Sequence, residues 1–231
     1  MLFLAVTAGF FADSYREHRH ERNSGELYLE AMVEDLKNDT ALIRESIASI
    51  RGKMPFFDSV LLFLKAPEQY GYQLPQRIYM PTYAEHIYYP VQATYQQLKF
   101  TGKLRLIPDL KILDSIMNYH ENVLGDIKNH MSYVRDYYKR YIQQQEQYFD
   151  LEPFNSYLNQ ILEDHSPADG SDKMLTLINR DPRQLMNLRN LVVSTKAFEV
   201  QYILMLYRLQ ADAIRLIRFI RHHHPEPNRS N

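Results

Sequence analysis

Leu113, Met117, His120, Leu124, Ile127, Met131, Val134, Tyr138, Tyr141, Gln145 and Tyr148 follow one another at gaps that alternate between four and three residues. An α-helix turns once in about 3.6 residues, so this spacing sets all of them on one face. The pattern predicts a single amphipathic helix of about 40 residues, roughly 60 Å long. Such a stripe leaves water only when other helices cover it, which constrains the rest of the chain.

Two further runs supply that cover. Leu29, Val33, Leu36, Thr40, Ile43, Ile47 and Ile50 carry the same spacing, with Glu30, Glu34, Asp35, Lys37, Arg44 and Glu45 between them. Gly52 lies where a helix C-cap glycine is expected, and Phe56 to Lys65 suits a short return helix stopped by Pro67. Leu188, Leu191, Phe198, Tyr202, Leu206, Leu209, Ala213, Leu216 and Ile220 stripe a last helix that begins near Pro182, a good first-turn residue. Shorter helices fit Thr94–Phe100 and residues 154–163, and Pro108 suits the first turn of the long helix. The predicted fold is an all-α antiparallel bundle of three long helices plus short ones, covering residues 14–222, with a frayed tail at 223–231. Only 7 of 231 residues are Gly, so turns needing positive φ are few. No run alternates with period two, so no substantial sheet is expected.

Residues 66–92 break the helical pattern with Pro67, Pro75, Pro81 and Pro90. Tyr70, Tyr72, Tyr79, Tyr83, Tyr88 and Tyr89 crowd the same stretch. Flexible linkers are poor in aromatics, so this is an ordered excursion. It suits either a cap on the hydrophobic end of the bundle, the reading favoured, or a recognition surface. In the second case Tyr79, Tyr83, Tyr88 and Tyr89 are candidate partner or ligand contacts.

The chain opens with MLFLAVTAGFFA, twelve residues without charge, followed by Asp13, Tyr15, Arg16, His18, Arg19, His20 and Arg22. A helix of twelve residues spans roughly 18 Å, short of the ~30 Å hydrocarbon core. A signal peptide and a buried core helix are both readings of this run. The aromatic and basic flank favours a third, in which residues 1–13 are the C-terminal part of a transmembrane helix and Tyr15, Arg16, Arg19 and Arg22 lie at the membrane interface.

The juncture Asp13-Ser14-Tyr15-Arg16-Glu17 and the later Thr94, Tyr95, Leu98, Thr101, Gly102, Leu104, Leu106 and Ile107 resemble an uncharacterised Bacteroidetes family of single-pass, membrane-anchored helical proteins, a domain of unknown function. Tyr15 stands where that family usually has Trp. The resemblance implies an inner-membrane anchor with the helical domain on the periplasmic side. It brings no known activity and no catalytic residue.

Chemistry is scarce in the remaining motifs. The absence of Cys excludes disulfides, thiol catalysis and cysteine metal sites. A net charge of −1 and no reader motif argue against a nucleic-acid partner. His18 with His20, and His222 to His224, lack the i,i+4 spacing of a helical metal site, so no metal and no cofactor are expected. His120 on the long stripe reads first as a core histidine and second as a ligand or pH-sensing group. In a sensory bundle with a pocket between its helices, His120, Tyr138 and Tyr141 are the candidate ligand contacts. Arg208, Arg215, Arg218 and Arg221 suit a helix C-terminus, and Arg215, Arg218 and Arg221 suit anionic headgroups equally. Gly102 between two apolar runs suggests a turn that only Gly allows. No nucleophile–base pair or phosphate loop is evident, so the expected role is non-enzymatic. The first expectation is a membrane-anchored interaction module, scaffold or accessory subunit of an envelope complex, with the bilayer and other membrane proteins or its own copies as partners. The alternative is a ligand-binding sensory bundle.

Overall fold

The computed structural model describes residues 2–82, 85–164 and 173–224, except for the side chains of 2–12, 156–158, 160, 161 and 164. Its elements in chain order are α1 (Leu2–Lys65), β1 (Gln73–Pro75), α2 (Gln76–Tyr79), α3 (Ala93–Phe100), α4 (Leu110–Met117), a π-helical turn (Asn118–Val123), α5 (Leu124–Gln145), β2 (Phe149–Asp150), α6 (Glu152–Asp164), β3 (Met174–Leu177) and α7 (Pro182–His223). The chain is therefore mostly helical, with three long helical runs, as the apolar spacing predicts. It divides into two compact units rather than one bundle domain. The first comprises Met1–Arg44, Tyr88–Asp126 and Tyr207–Asn231, the second Glu45–Ile87 and Ile127–Leu206.

α1 corrects the expected stop at Gly52. The helix runs on through Gly52 and Pro55 to Lys65, with no return helix. Its buried seam explains why: Ile50, Lys53, Phe57, Val60 and Leu64 are buried at the helical spacing, so breaking the helix would uncover them. Gly52 and Pro55 both fall on the exposed face, where their low helix propensity is outweighed by that packing. Backwards, the backbone of 2–12 continues the same helix. Among the described residues, no helix is long and apolar enough to cross a membrane.

In the first unit the chain from Tyr88 to Leu106 retraces α1. Thr94 N–H donates to Asp35 Oδ2 at 2.8 Å, Lys103 Nζ to Tyr28 Oη at 3.4 Å, and Arg105 pairs with Glu21 at 3.2 Å. Gly102 takes a left-handed φ of 67° at the turn after α3, the role its position suggests. Pro108 lies just before α4 rather than in its first turn: Asp109 is the N-cap, accepting from the N–H groups of Lys111 (2.8 Å) and Ile112 (3.3 Å).

The second unit holds a small sheet that the sequence pattern did not reveal. β3 lies between β1 and β2, antiparallel to both, with Leu74 opposite Leu175 and Phe149 opposite Leu177. Strands of two to four residues are too short for a period-two signal to register. Leu74, Tyr79, Leu175 and Leu177 join Phe57, Phe63, Tyr141, Tyr148, Leu188 and Val192 in one core cluster. Leu74 and Tyr79 of the segment from 66 to 82 thus pack into the core of this unit. Direction here corrects the antiparallel arrangement. Lys53 of α1 bonds Tyr138, and Phe63 stacks on Phe149 with centroids 6.3 Å apart, so α1 and α5 run the same way. α7 opposes both: Glu199 meets Lys53 and Tyr138, Lys196 meets Asp58, and Tyr148 Oη donates to the Gln184 carbonyl at 2.9 Å.

The centre of this unit is polar. Lys53 Nζ donates to Glu199 Oε1 at 2.7 Å and to Tyr138 Oη at 3.0 Å, and Tyr138 Oη donates to the same Glu199 oxygen at 2.5 Å. Glu199 is 0% exposed and its Oε2 has no hydrogen-bond partner among the described residues. A buried pair of this kind contributes little net stability, but removing one partner strands the other charge. Glu199→Ala is expected to cost about 3–5 kcal/mol in urea unfolding. The double variant Lys53→Met, Glu199→Leu should recover most of that, and failure to recover would show that the pair is not the source of the loss.

Gly25 and Gly52 give a second test. A Cβ on Gly25 would lie 2.2 Å from the Leu106 carbonyl oxygen, whereas one on Gly52 meets nothing within 4 Å. Gly25→Ala should destabilise by about 1–3 kcal/mol. Gly52→Ala should stabilise by about 0.5–1 kcal/mol, since Ala is the better helix former. Equal unfolding midpoints for the two variants would contradict the close approach of Leu106 to α1.

Candidate binding groove

The long central run carries a one-residue phase change, and the groove is built on it. Ile112 and Ile116 are buried in α4, not the expected Leu113 and Met117, while beyond the π turn the buried positions return to Leu124, Ile127, Val134, Tyr138 and Tyr141. A π turn inserts one extra residue into the helical repeat. It lets two adjacent side chains, Tyr119 and His120, both be buried. Such turns often accompany functional sites.

Within the first unit, Ser115, Asn118, Tyr119 and Val123 form one wall of an open groove of about 470 Å³, and Asp212, Arg215, Leu216, Arg218 and Phe219 of α7 form the other. That volume lies in the range of small-molecule sites, about 300–1,000 Å³. Leu216 and the Tyr119 ring are buried, while Arg215 and Arg218 are exposed at the rim. Arg215 forms an ion pair with Asp212.

A carboxylate fixes Tyr119 from behind. Asp39 is 0% exposed and accepts from Tyr119 Oη at 2.7 Å, from Tyr88 Oη at 2.5 Å and from the Val91 N–H at 2.9 Å. Burial, followed by the Asp39 charge, raises the Tyr119 hydroxyl far above the ordinary tyrosine range. The hydroxyl is thus a committed neutral donor. Beside it His120 stacks on Tyr95 with centroids 4.2 Å apart and planes 5° from parallel, and its buried Nδ1 has no hydrogen-bond partner among the described residues. Burial lowers His120 to about 4, although Asp35 and Glu121 act in the opposite sense. Glu121 accepts from Lys99 and Tyr95 at 2.5 Å each, and the Lys99 bond leads in holding its carboxyl below the usual value.

The expected contact residues are not gathered into one site. His120 belongs to the first unit, Tyr138 and Tyr141 to the second. Both tyrosines are buried, Tyr138 against Lys53 and Glu199 and Tyr141 against Thr82 at 3.0 Å. Burial pushes Tyr141 up to about 12. Tyr79 is buried with its ring 4.8 Å from Phe149, and Tyr88 is taken up by Asp39. Tyr89 is 71% exposed, and Tyr83 lies outside the described residues. At the first helix, Tyr15, Arg16, Arg19 and Arg22 are exposed, with Arg16 paired to Asp13 at 3.3 Å and Arg22 to Glu26 at 3.6 Å. Arg221 is exposed near the end of α7. Among the described residues, no group of three or more His, Asp or Glu is placed to hold a metal ion.

Asp39, Lys53 and Glu199 escaped the sequence reading, yet a signal existed. Leu29, Met32, Leu36, Asp39, Ile43, Ser46, Ile50, Lys53, Phe57, Val60 and Leu64 keep alternating gaps of three and four, and all are buried. Three polar residues on one seam, each seven from the next, mark interior polar contacts.

No family model, no curated protein and no solved structure matches the chain.

The depressed His120 sets a pH dependence. The unfolded group takes up its proton near 6.5 and the folded group only near 4, so its contribution is complete above pH 6.5 and is lost as pH falls towards 4. From pH 7.5 to pH 5 this one site should cost about 2 kcal/mol. His120→Phe should show a correspondingly smaller decline in urea unfolding, and an identical decline in both proteins would rule the site out.

Proposed function

We propose that this chain is a non-enzymatic helical binding module, attached to a membrane through its N-terminal end, which takes a small ligand in the groove between α4 and α7. The observation that carries the reading is the groove itself: a concave, largely apolar site over a buried floor, with two arginines at its rim. Its ionisable groups are arranged to bind rather than to react. The Tyr119 proton is held by Asp39, and Asp212 is occupied by Arg215. Such a module suits a sensory domain. The helical backbone that continues from α1 through residues 2–12 supports an anchor at that end, and the resemblance of the juncture to the Bacteroidetes family supports inner-membrane attachment with a periplasmic domain.

A second reading, scaffold or accessory subunit of an envelope complex, has its own support. Met186, Val193 and Val200, seven residues apart, together with Leu204, lie exposed along α7 in the second unit. Apolar residues repeated at heptad spacing on an open helix face suit a partner helix.

Nile red, a neutral apolar dye, should bind the folded protein at one saturable site. Val123→Trp, or Ser115→Trp should that variant not fold, should abolish the site without altering the circular dichroism spectrum. Dye binding that survives both variants would eliminate the groove. A stoichiometric set of membrane proteins recovered in a mild-detergent pull-down would then favour the scaffold.

A further inference from the structure

We propose that the groove's ligand is a single-chain amphiphile with a monoanionic head, of the fatty-acid carboxylate class. This rests on the groove being the binding site. The two ends of such a molecule match two chemically different parts of the groove. Its apolar lining comes from the half-buried Val123 and Phe219, over the buried Leu216 and Tyr119 ring. The Tyr119 hydroxyl is turned to Asp39, so the floor presents carbon where a hydrocarbon chain would lie. Phe219 is braced by His223, whose ring centroid lies 4.3 Å away. Charge sits at the rim. Arg215 and Arg218 are one helical turn apart, and a guanidinium offers the paired N–H groups that a carboxylate accepts.

Charge balance narrows the head group. Two arginines against Asp212 leave one net positive charge among the lining residues, which complements a monoanion better than a doubly charged phosphate monoester. Shape narrows it further. An open groove of about 470 Å³ has room for one chain. A surface that lies on a bilayer would instead spread its basic residues over an open face.

The test is isothermal titration of the full chain with laurate below its micelle concentration at pH 7.5, beside dodecanol and acetate. The expected result is one laurate per chain, with dodecanol and acetate each weaker by at least ~10-fold, because neither carries both ends of the match. Arg218→Gln should weaken laurate by at least ~10-fold, whereas Arg208→Gln, on the same helix but outside the groove lining, should not. Val123→Trp should abolish laurate binding. Laurate and dodecanol of equal affinity, or an Arg218→Gln variant with unaltered affinity, would overturn the anionic head while leaving the groove as a site. Failure of both laurate and Nile red to bind would overturn the groove with it. Tight binding to phosphatidylglycerol vesicles without binding of free laurate would overturn the single-chain ligand in favour of a membrane surface.

Discussion

A carboxylate removed from water costs several kcal/mol unless donors replace its hydration. Asp39 is wholly buried and takes three donors, two from tyrosine hydroxyls and one from the backbone at Val91. Meeting that demand joins three segments distant in sequence: α1, the stretch entering α3, and the π turn. Tyr119 keeps the phase of Ile112 and Ile116, and the extra residue of the π turn lets His120 be buried beside it, against Tyr95.

The second unit solves a similar problem with a counter-charge. Lys53 and Glu199 share Tyr138 between them, all three buried. Neither arrangement is an efficient source of stability, since apolar side chains of equal volume would do as well. Their value lies in register. Helices striped with Leu and Ile slide by a heptad at modest cost, whereas a slide here would leave an acid or an ammonium without its partner. Burial lowers His86, with the Lys53 charge acting in the same sense and Glu199 against it.

Much of the helical content was legible because it rests on local periodicity. The start of α7 at Pro182, the short helix at Ala93–Phe100 and the left-handed Gly102 follow from rules that act within a few residues. The failures share a cause. Gly52 and Pro55 looked like a helix end because propensity is a local quantity, but both face solvent while the buried seam passes beneath them. The sheet escaped because its strands are too short to show a pattern and pair only across long separations. The candidate ligand residues His120, Tyr138 and Tyr141 share one stripe, yet they serve two units and internal partners. The groove draws instead on residues from two helices that no spacing connects.

The sequence by itself determined that this chain is built from long amphipathic helices, that a proline- and tyrosine-rich stretch interrupts their pattern, and that cysteine chemistry is closed to it. These follow from composition and from the 3.6-residue repeat, which any helix must obey wherever it packs. Tertiary structure alone decided that α1 and α5 run in the same direction, that the chain divides into two units, and that Arg215 and Arg218 face Val123 and Tyr119 across a groove. The physical reason is the same for each. Direction, division and juxtaposition are settled by which stripes bury one another and which buried polar groups find partners, and those are properties of pairs of segments that no single segment carries.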